Sequence, residues 1–346
     1  SRRFFFTSGY GMFVRAPRQC AFDLDHGVIH TSPIFELTFY FGPTPKEIFE
    51  RHQLVTGNTV IDTPLPDTPI DSWDALSQLV RTLNQWSLSA MLYPRWNAST
   101  SVRKGEIAKR LSDLFAILPI IYETSSSRQS SPTQWTPYWD TYFREAYDRG
   151  YPLIRPFPFE FSRDKALDPQ PDAFMLGDEV LLAPVVAPGD RRRLQLPRGM
   201  WTDLRTNVEY KGNQAIEVDA PAGQVPAFAR NGALFPLAAK KAMELHYFPS
   251  LGGEFFLWES ALRENSQFHA APAGDFTRIE IESRVSRTYE WVIHHAKRPS
   301  SVEGYRPVRQ RASLKPGTWW HDGPRNDLHV MVHAEAGADN ILNISF

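Results

Sequence analysis

YPLIRPFPFEFSRDKALDPQPDAFMLGDEVLLAPVVAP, residues Tyr151 to Pro188, is the stretch from which the rest of the chain can be read. Its first part, Leu153 to Phe161, is apolar and aromatic-rich with prolines at its edges, which predicts a buried strand. A polar, proline-spaced connection follows. Phe174-Met175-Leu176 and Val180 to Val186 then flank Gly177-Asp178, the pattern of two strands around a turn. A buried strand that passes straight into hairpins marks the junction of an α/β region with an all-β region.

Upstream of this junction, residues 1–43 alternate apolar and polar residues around Gly and Pro and read as β. Thr44-Pro45-Lys46-Glu47 opens a helix, with Thr44 as cap, Pro45 at the first helical position and Glu47 completing a capping box. Gly57 is its stop. A second helix starts near Asp71, with Asp71 and Asp74 as a capping pair and Trp73, Leu76, Val80 and Leu83 on one face. Ala90-Met91-Leu92-Tyr93 reads as a strand. A third helix, Lys104 to Leu118, buries Ile107, Leu111, Leu114, Phe115 and Leu118, and Pro119 to Tyr122 follows as a short strand. Thr124 to Pro132 is a serine-rich loop. A fourth helix, Tyr138 to Asp148, ends at Gly150.

Downstream, Arg191-Arg192-Arg193 reads as a solvated loop. Arg193 to Leu196 and the run from Trp201 predict a hairpin about Arg198-Gly199, and Asn231-Gly232 predicts another turn of that kind. Phe255 to Trp258, Thr277 to Ile281, Tyr289 to Ile293 and Leu328 to Val332 are strands of a second all-β unit. The chain thus divides into 1–43, 44–162, 163–240 and 241–346.

Composition narrows the function. A chain of 346 residues has room for two or three cores. A formal net charge of −1 gives no global attraction to nucleic acid or an anionic membrane. No stretch approaches the ~20 apolar residues of a membrane span. Cys20 is the sole cysteine, which excludes an internal disulfide or a cysteine-built zinc site. His294 and His295 are neighbours on the strand pattern, so they point to opposite faces and do not chelate one ion together. No metal or organic cofactor signature is present.

The residues around the junction resemble glycoside hydrolase family 31, the α-glucosidase family. The likeness is carried by Tyr151 to Pro156, Phe174 to Asp178, Leu182-Ala183-Pro184-Val185, Gly199 to Asp203, Tyr210-Lys211-Gly212 and Val225 to Gly232. It extends to the run GPTPKEIFERHQLVTG, residues 42–57. It implies an α/β plus all-β fold: a partial (β/α) barrel remnant at 44–162, an N-terminal β-sandwich remnant at 1–43, and proximal and distal C-terminal β-sandwiches at 163–240 and 241–346. A whole (β/α)₈ barrel takes roughly 250 residues. The span 44–162 holds only three or four βα units, and the open sheet edges this leaves call for cover, by a partner chain or by refolding against the C-terminal sandwich.

Retaining glycosidases need two carboxyl groups about 5–5.5 Å apart, one nucleophile and one acid/base. The family's Trp-x-Asp-hydrophobic-Asn-Glu nucleophile motif has no counterpart here. Its Asp-Ile-Gly-Gly-Phe strand end is replaced by Pro94-Arg95-Trp96-Asn97, and its Arg/His pair by Tyr122 and Thr124. Asp67, in the turn LPDTP, is the nearest match to the acid/base aspartate, one residue out of the family's spacing. Asp62 and Asp71 match no better, and Asp71 is a helix cap in this reading.

The resemblance with these losses implies a catalytically inactive relative that acts as a structural or interaction subunit, with a protein partner or oligomer covering the incomplete barrel. Two alternatives stand beside it. One is an α-glucosidase-type retaining hydrolase whose site is completed in trans or which is shortened from an active enzyme. The other is a non-catalytic carbohydrate-binding protein using Trp86, Trp96, Trp135, Trp139, Trp201, Trp258, Trp319 or Trp320 as sugar platforms. Most of these belong in cores, because tryptophan is mostly buried. Trp319-Trp320 is the first pair to examine, since neighbouring strand residues do not both point inward.

Overall fold

A computed structural model describes residues 4–7, 9–15, 21–23, 28–30, 35–57, 70–86, 95–96, 105–119, 121–124, 127–130, 134–164, 167 and 170–346. Strand dominates helix, and the architecture is mostly β.

The junction forms much as its sequence implies. Phe174–Leu176 and Val180–Leu182 pair antiparallel around Gly177-Asp178. Gly177 adopts φ +60°, and a Cβ there would stand 2.3 Å from both the Tyr138 hydroxyl and the Tyr142 ring, so only glycine fits. The run expected to be one strand from Leu153 to Phe161 divides instead. Ile154–Pro156 is a strand, and Phe157–Glu160 (FPFE) winds into one helical turn. Pro158 follows Phe157 at the start of that turn, where its fixed φ and missing N–H suit a helix rather than a ladder.

Ile154–Pro156 is the edge of a six-stranded sheet that continues through Phe174–Leu176, Val180–Leu182, Ala227–Arg230, Met200–Asp203 and Glu209–Lys211. The sheet therefore runs across residue 162, where the sequence divides barrel-like from sandwich-like residues. The expected hairpin about Arg198-Gly199 does not form. Arg191–Leu196, which takes in the supposed arginine loop, pairs with Gln214–Asp219 in a separate two-stranded layer. Leu194, Leu196, Ile216 and Val218 of that layer share a core with Trp201 and Phe228 of the sheet.

Asn231-Gly232 is not a hairpin turn either. It carries the chain from the six-stranded sheet into the distal sandwich, because Leu234–Ala238 pairs with Met243–Tyr247. That sandwich sets a six-stranded sheet (234–238, 243–247, 287–293, 327–334, 318–322, 306–307) against a five-stranded one (253–259, 264–273, 276–282, 339–345, 301–302). Phe255, Phe268, Ile279, Trp291, Val330 and Leu342 lie in the core between them.

The helices flank this frame. Helix α1 is Pro45–Thr56, with Thr44 Oγ1 accepting from the Glu47 N–H at 3.3 Å and Gly57 closing the end. Helix α2 is Trp73–Trp86, and Leu76, Leu79, Val80 and Leu83 are buried. Its first turn is capped by Ser72, whose Oγ accepts from the Ala75 N–H, and not by the Asp71–Asp74 pair. Helix α3 is Glu106–Ile117 and helix α4 is Thr136–Arg149, closed by Gly150 in the left-handed region.

The short strands Arg95–Trp96 and Ile121–Thr124 pair in parallel on either side of α3 in sequence, one βαβ unit, and no closed barrel is present among the described residues. The serine-rich stretch contains a strand, Ser127–Ser130, paired with Ile121–Thr124. One continuous apolar core joins α2, α3, α4, the six-stranded sheet and the distal sandwich.

Candidate functional site

Charged residues meet at the junction. Arg155 is fully buried, an isolated cation in an apolar run, and an unpaired charge there would cost several kcal/mol. It is paired on every side. Its Nη1 reaches Asp178 at 2.5 Å and Glu160 at 2.8 Å, its Nη2 reaches Glu145 at 2.5 Å, and its Nε donates to Pro152 O at 2.8 Å. Lys46 of α1 adds a second cation, 2.7 Å from Asp178 and 3.1 Å from Glu160. The rings of Tyr142, Tyr151 and Phe159 lie 5.0 to 5.9 Å from the guanidinium carbon. Burial pulls against ionisation of Asp178, but Arg155 and Lys46 outweigh it and hold its carboxyl well below the usual range.

Glu179, the next residue, is the opposite case. Burial, reinforced by the Asp178 charge, pushes its carboxyl up to about 7. The hydrogen bonds agree. Tyr138 Oη lies 2.5 Å from Leu176 O and 2.7 Å from Glu179 Oε2, yet a hydroxyl has one hydrogen. Tyr142 Oη accepts from the Asp178 N–H and donates to Glu179 Oε2 at 2.6 Å. A neutral Glu179 supplies its own O–H to Tyr138, which frees the Tyr138 hydrogen for Leu176 O. Five segments are tied here, from α1 through α4 to the 174–182 hairpin. Each carboxyl is engaged, so the cluster is a tie between elements rather than a reacting site.

A cleft of about 810 Å³ opens between the first turn of α4, residues 238–244 and the 257–260 strand end. Trp258 is half-buried on its wall. The Arg144 guanidinium covers its ring at 4.4 Å, and the Trp258 backbone N–H donates to Thr141 Oγ1 at 3.0 Å. Two cleft carboxylates are already engaged. Glu259 receives both arms of Arg287, at 3.1 and 3.0 Å. Glu244 is held by Arg311 at 2.7 Å and lies 3.1 Å from His246 Nε2. The side chains of Asp140 and Lys240 make no hydrogen bond or ion pair with another described residue. Burial raises the Asp140 carboxyl above its ordinary value.

Asp67 and Asp62 lie outside the described residues, so no described geometry bears on the acid/base candidate. Asp71 is exposed beside the start of α2. Trp135, Trp139, Trp201 and Trp319 are core residues, and the side chains of Trp86 and Trp96 lie outside those described. Trp319 and Trp320 do split as adjacent residues must. Trp319 is buried, and half-buried Trp320 packs on Ala242, Leu314 and Met331. Neither lines the cleft, where the aromatic wall is Trp258.

His294 and His295 occupy the turn after the strand Arg287–Ile293 rather than the strand itself. His294 bonds Asp327 at 3.1 Å and His246 at 3.0 Å, while His295 bonds Thr202 at 3.1 Å. No cluster of three or more metal-ligating side chains occurs among the described residues, and no described helix is long and apolar enough to cross a membrane.

Residues 150–235 match the glycosyl hydrolase family 31 C-terminal domain. Among curated relatives, α-glucosidase 2 of Bacillus thermoamyloliquefaciens is 28% identical over 197 residues, 49% of this chain and 24% of that protein. A probable glucan 1,3-α-glucosidase of Arabidopsis thaliana is 36% identical over 117 residues, 33% of this chain and 13% of that one. Among solved structures, the family 31 dextranase of Flavobacterium johnsoniae, complexed with glucose, superposes with a TM-score of 0.70 at 18% identity, covering 87% of this chain and 48% of that one. The cycloalternan-forming enzyme of Listeria monocytogenes gives 0.71 at 17%, covering 82% and 32%. At such identities the superpositions speak to the fold alone. The chain spans less than half the length of each of these relatives.

Proposed function

The chain belongs to glycoside hydrolase family 31, and from that premise we propose that it is a catalytically silent structural or interaction subunit of a larger assembly. The observation that carries this reading is the fate of the family-matching charged residues. Arg155 and Asp178 are locked in a closed ion network, and no described cleft offers two unengaged carboxyl groups. A retaining glycosidase needs such a pair.

A second feature supports an interaction role. Strand alternation puts Leu37, Phe39 and Phe41 on one face of Glu36–Phe41, with Tyr10 opposite Phe41 on the neighbouring strand. Phe39 and Phe41 are 49% and 64% exposed, and Phe35 and Tyr10 nearly as much. A row of apolar side chains of this kind marks a contact surface. The names of the curated relatives favour the other reading, a retaining α-glucosidase whose acid/base is Asp67 and whose nucleophile is supplied elsewhere.

Native mass spectrometry of the protein isolated under gentle conditions tests the subunit reading. The expected result is a stoichiometric assembly that Phe39→Ser with Phe41→Ser dissociates. A clean monomer at working concentration contradicts it.

A further inference from the structure

We infer that the cleft beside α4 is a binding site for a neutral saccharide, which rests against Trp258 while Asp140 accepts from and Lys240 donates to its hydroxyl groups. The subunit reading is not needed for this.

The assignment follows from which groups in the cleft are left over. The Glu259 carboxylate is matched by the two-armed Arg287, and Glu244 is taken up by Arg311 and His246. That leaves one carboxylate, Asp140, and one ammonium, Lys240, without a side-chain partner among the described residues. Their charges balance, so the cleft has no surplus with which to prefer an anion or a cation. A hydroxyl-rich neutral ligand suits them both, since a carboxylate only accepts and an ammonium only donates, whereas a hydroxyl does either.

The apolar part of the wall is small and aromatic. Trp258 has the Arg144 guanidinium over its ring, which fixes its orientation, and Leu257 and Met243 are the other large apolar groups. Ligand sites commonly combine such an apolar wall with a few placed polar groups, and a volume of about 810 Å³ admits more than one sugar ring. Half-buried Asp140 sits in α4, a helix held on its far side by the Tyr138–Glu179 bond, so its position is rigid. Rigid placement is what a weak-contact site requires.

The full-length chain is titrated with maltotriose, and in parallel with cellotriose, while the tryptophan indole N–H signals are followed by NMR. The expected result is saturable movement of the Trp258 signal with a Kd on the order of 1 mM. Asp140→Asn and Lys240→Met are each expected to weaken binding at least about fivefold, and Trp258→Ala to abolish it. Thermal midpoints of the variants verify folding, and the two polar replacements keep the test decisive if Trp258→Ala does not fold. Absence of saturation by about 50 mM for both sugars overturns the inference. So does binding that survives all three substitutions, or inorganic phosphate moving the same signal at lower concentration than either sugar. Hydrolysis of maltotriose would be visible separately as glucose signals, and would count against the silent-subunit reading without touching this one.

Discussion

Replacing Glu179 by Gln should make the protein progressively more stable than its parent as pH rises. Glu179 is buried, and its carboxyl is raised from 4.5 to about 7, first by loss of hydration and then by the neighbouring Asp178 charge. Between those two values the folded chain keeps a proton that the unfolded chain has released. Stability from this group is therefore fully present below about pH 4.5 and is lost as pH rises through about 7. The gap from 4.5 to about 7, at about 1.4 kcal/mol per pH unit, gives roughly 3.5 kcal/mol in all, of which about 2.5 kcal/mol falls between pH 5 and pH 8.5.

Gln keeps the shape of the neutral acid: with its carbonyl oxygen in the place of Oε2 it accepts from Tyr142 Oη, and it has no charge to lose. The quantity to measure is the difference in thermal midpoint between Glu179→Gln and the parent from pH 5 to pH 8.5, in which all other titrating groups cancel. At about 2 °C per kcal/mol for a chain of this size, the difference should grow by about 5 °C in favour of the variant. A difference that stays constant with pH would refute the reasoning. So would one that turns against the variant at high pH, because it would mean that Glu179 is folded as a carboxylate stabilised by its two tyrosines.

His294 should show the opposite slope. Burial pushes its imidazole down to about 4, so its contribution is present above pH 6.5 and lost as pH falls through about 4; the advantage of the parent over His294→Gln should shrink by about 3 kcal/mol between pH 7 and pH 4, read by urea unfolding. Arg155→Met leaves Glu145 without its cation and Asp178 and Glu160 with Lys46 alone; it should cost about 3–5 kcal/mol in the same assay at pH 7, and Arg155→Lys should not restore this, since one ammonium does not span three carboxylates. Gly177→Ala should cost about 2 kcal/mol or more, because its methyl meets the Tyr138 hydroxyl and the Tyr142 ring at a positive φ, measured as loss of thermal midpoint.

What could be read from the chain was local. Thr44 and Gly57 bound α1 because caps are set by residues a few positions apart, and the helical faces of α2 and α3 follow from spacing alone. Gly177-Asp178 between two apolar runs gave the hairpin for the same reason. Partners distant in sequence were not legible. Nothing in Arg191–Leu196 says that it pairs with Gln214–Asp219 and not with the strand immediately after it, and Asn231-Gly232 looks the same whether it closes a hairpin or crosses between sheets.

The Arg155 cluster draws Glu145, Glu160 and Asp178 from three segments with no fixed spacing. One signal could have found it, a lone arginine within an apolar run, since burial obliges such a cation to gather carboxylates. The cleft is harder still. Trp258 reads as one of many tryptophans, and its neighbours come from residues 134–140, 238–244 and 287. That Arg155 and Asp178 serve the fold follows from their chemistry, because both are already ion-paired.

Hydrolysis itself is the most direct test. The purified chain is incubated with p-nitrophenyl α-D-glucopyranoside and with maltose at pH 5 to 7, beside an Asp67→Asn variant. A silent subunit releases no more product than buffer, and the variant does not differ from the parent. Measurable turnover by the parent that disappears in Asp67→Asn would contradict the central claim and establish a working glycosidase site.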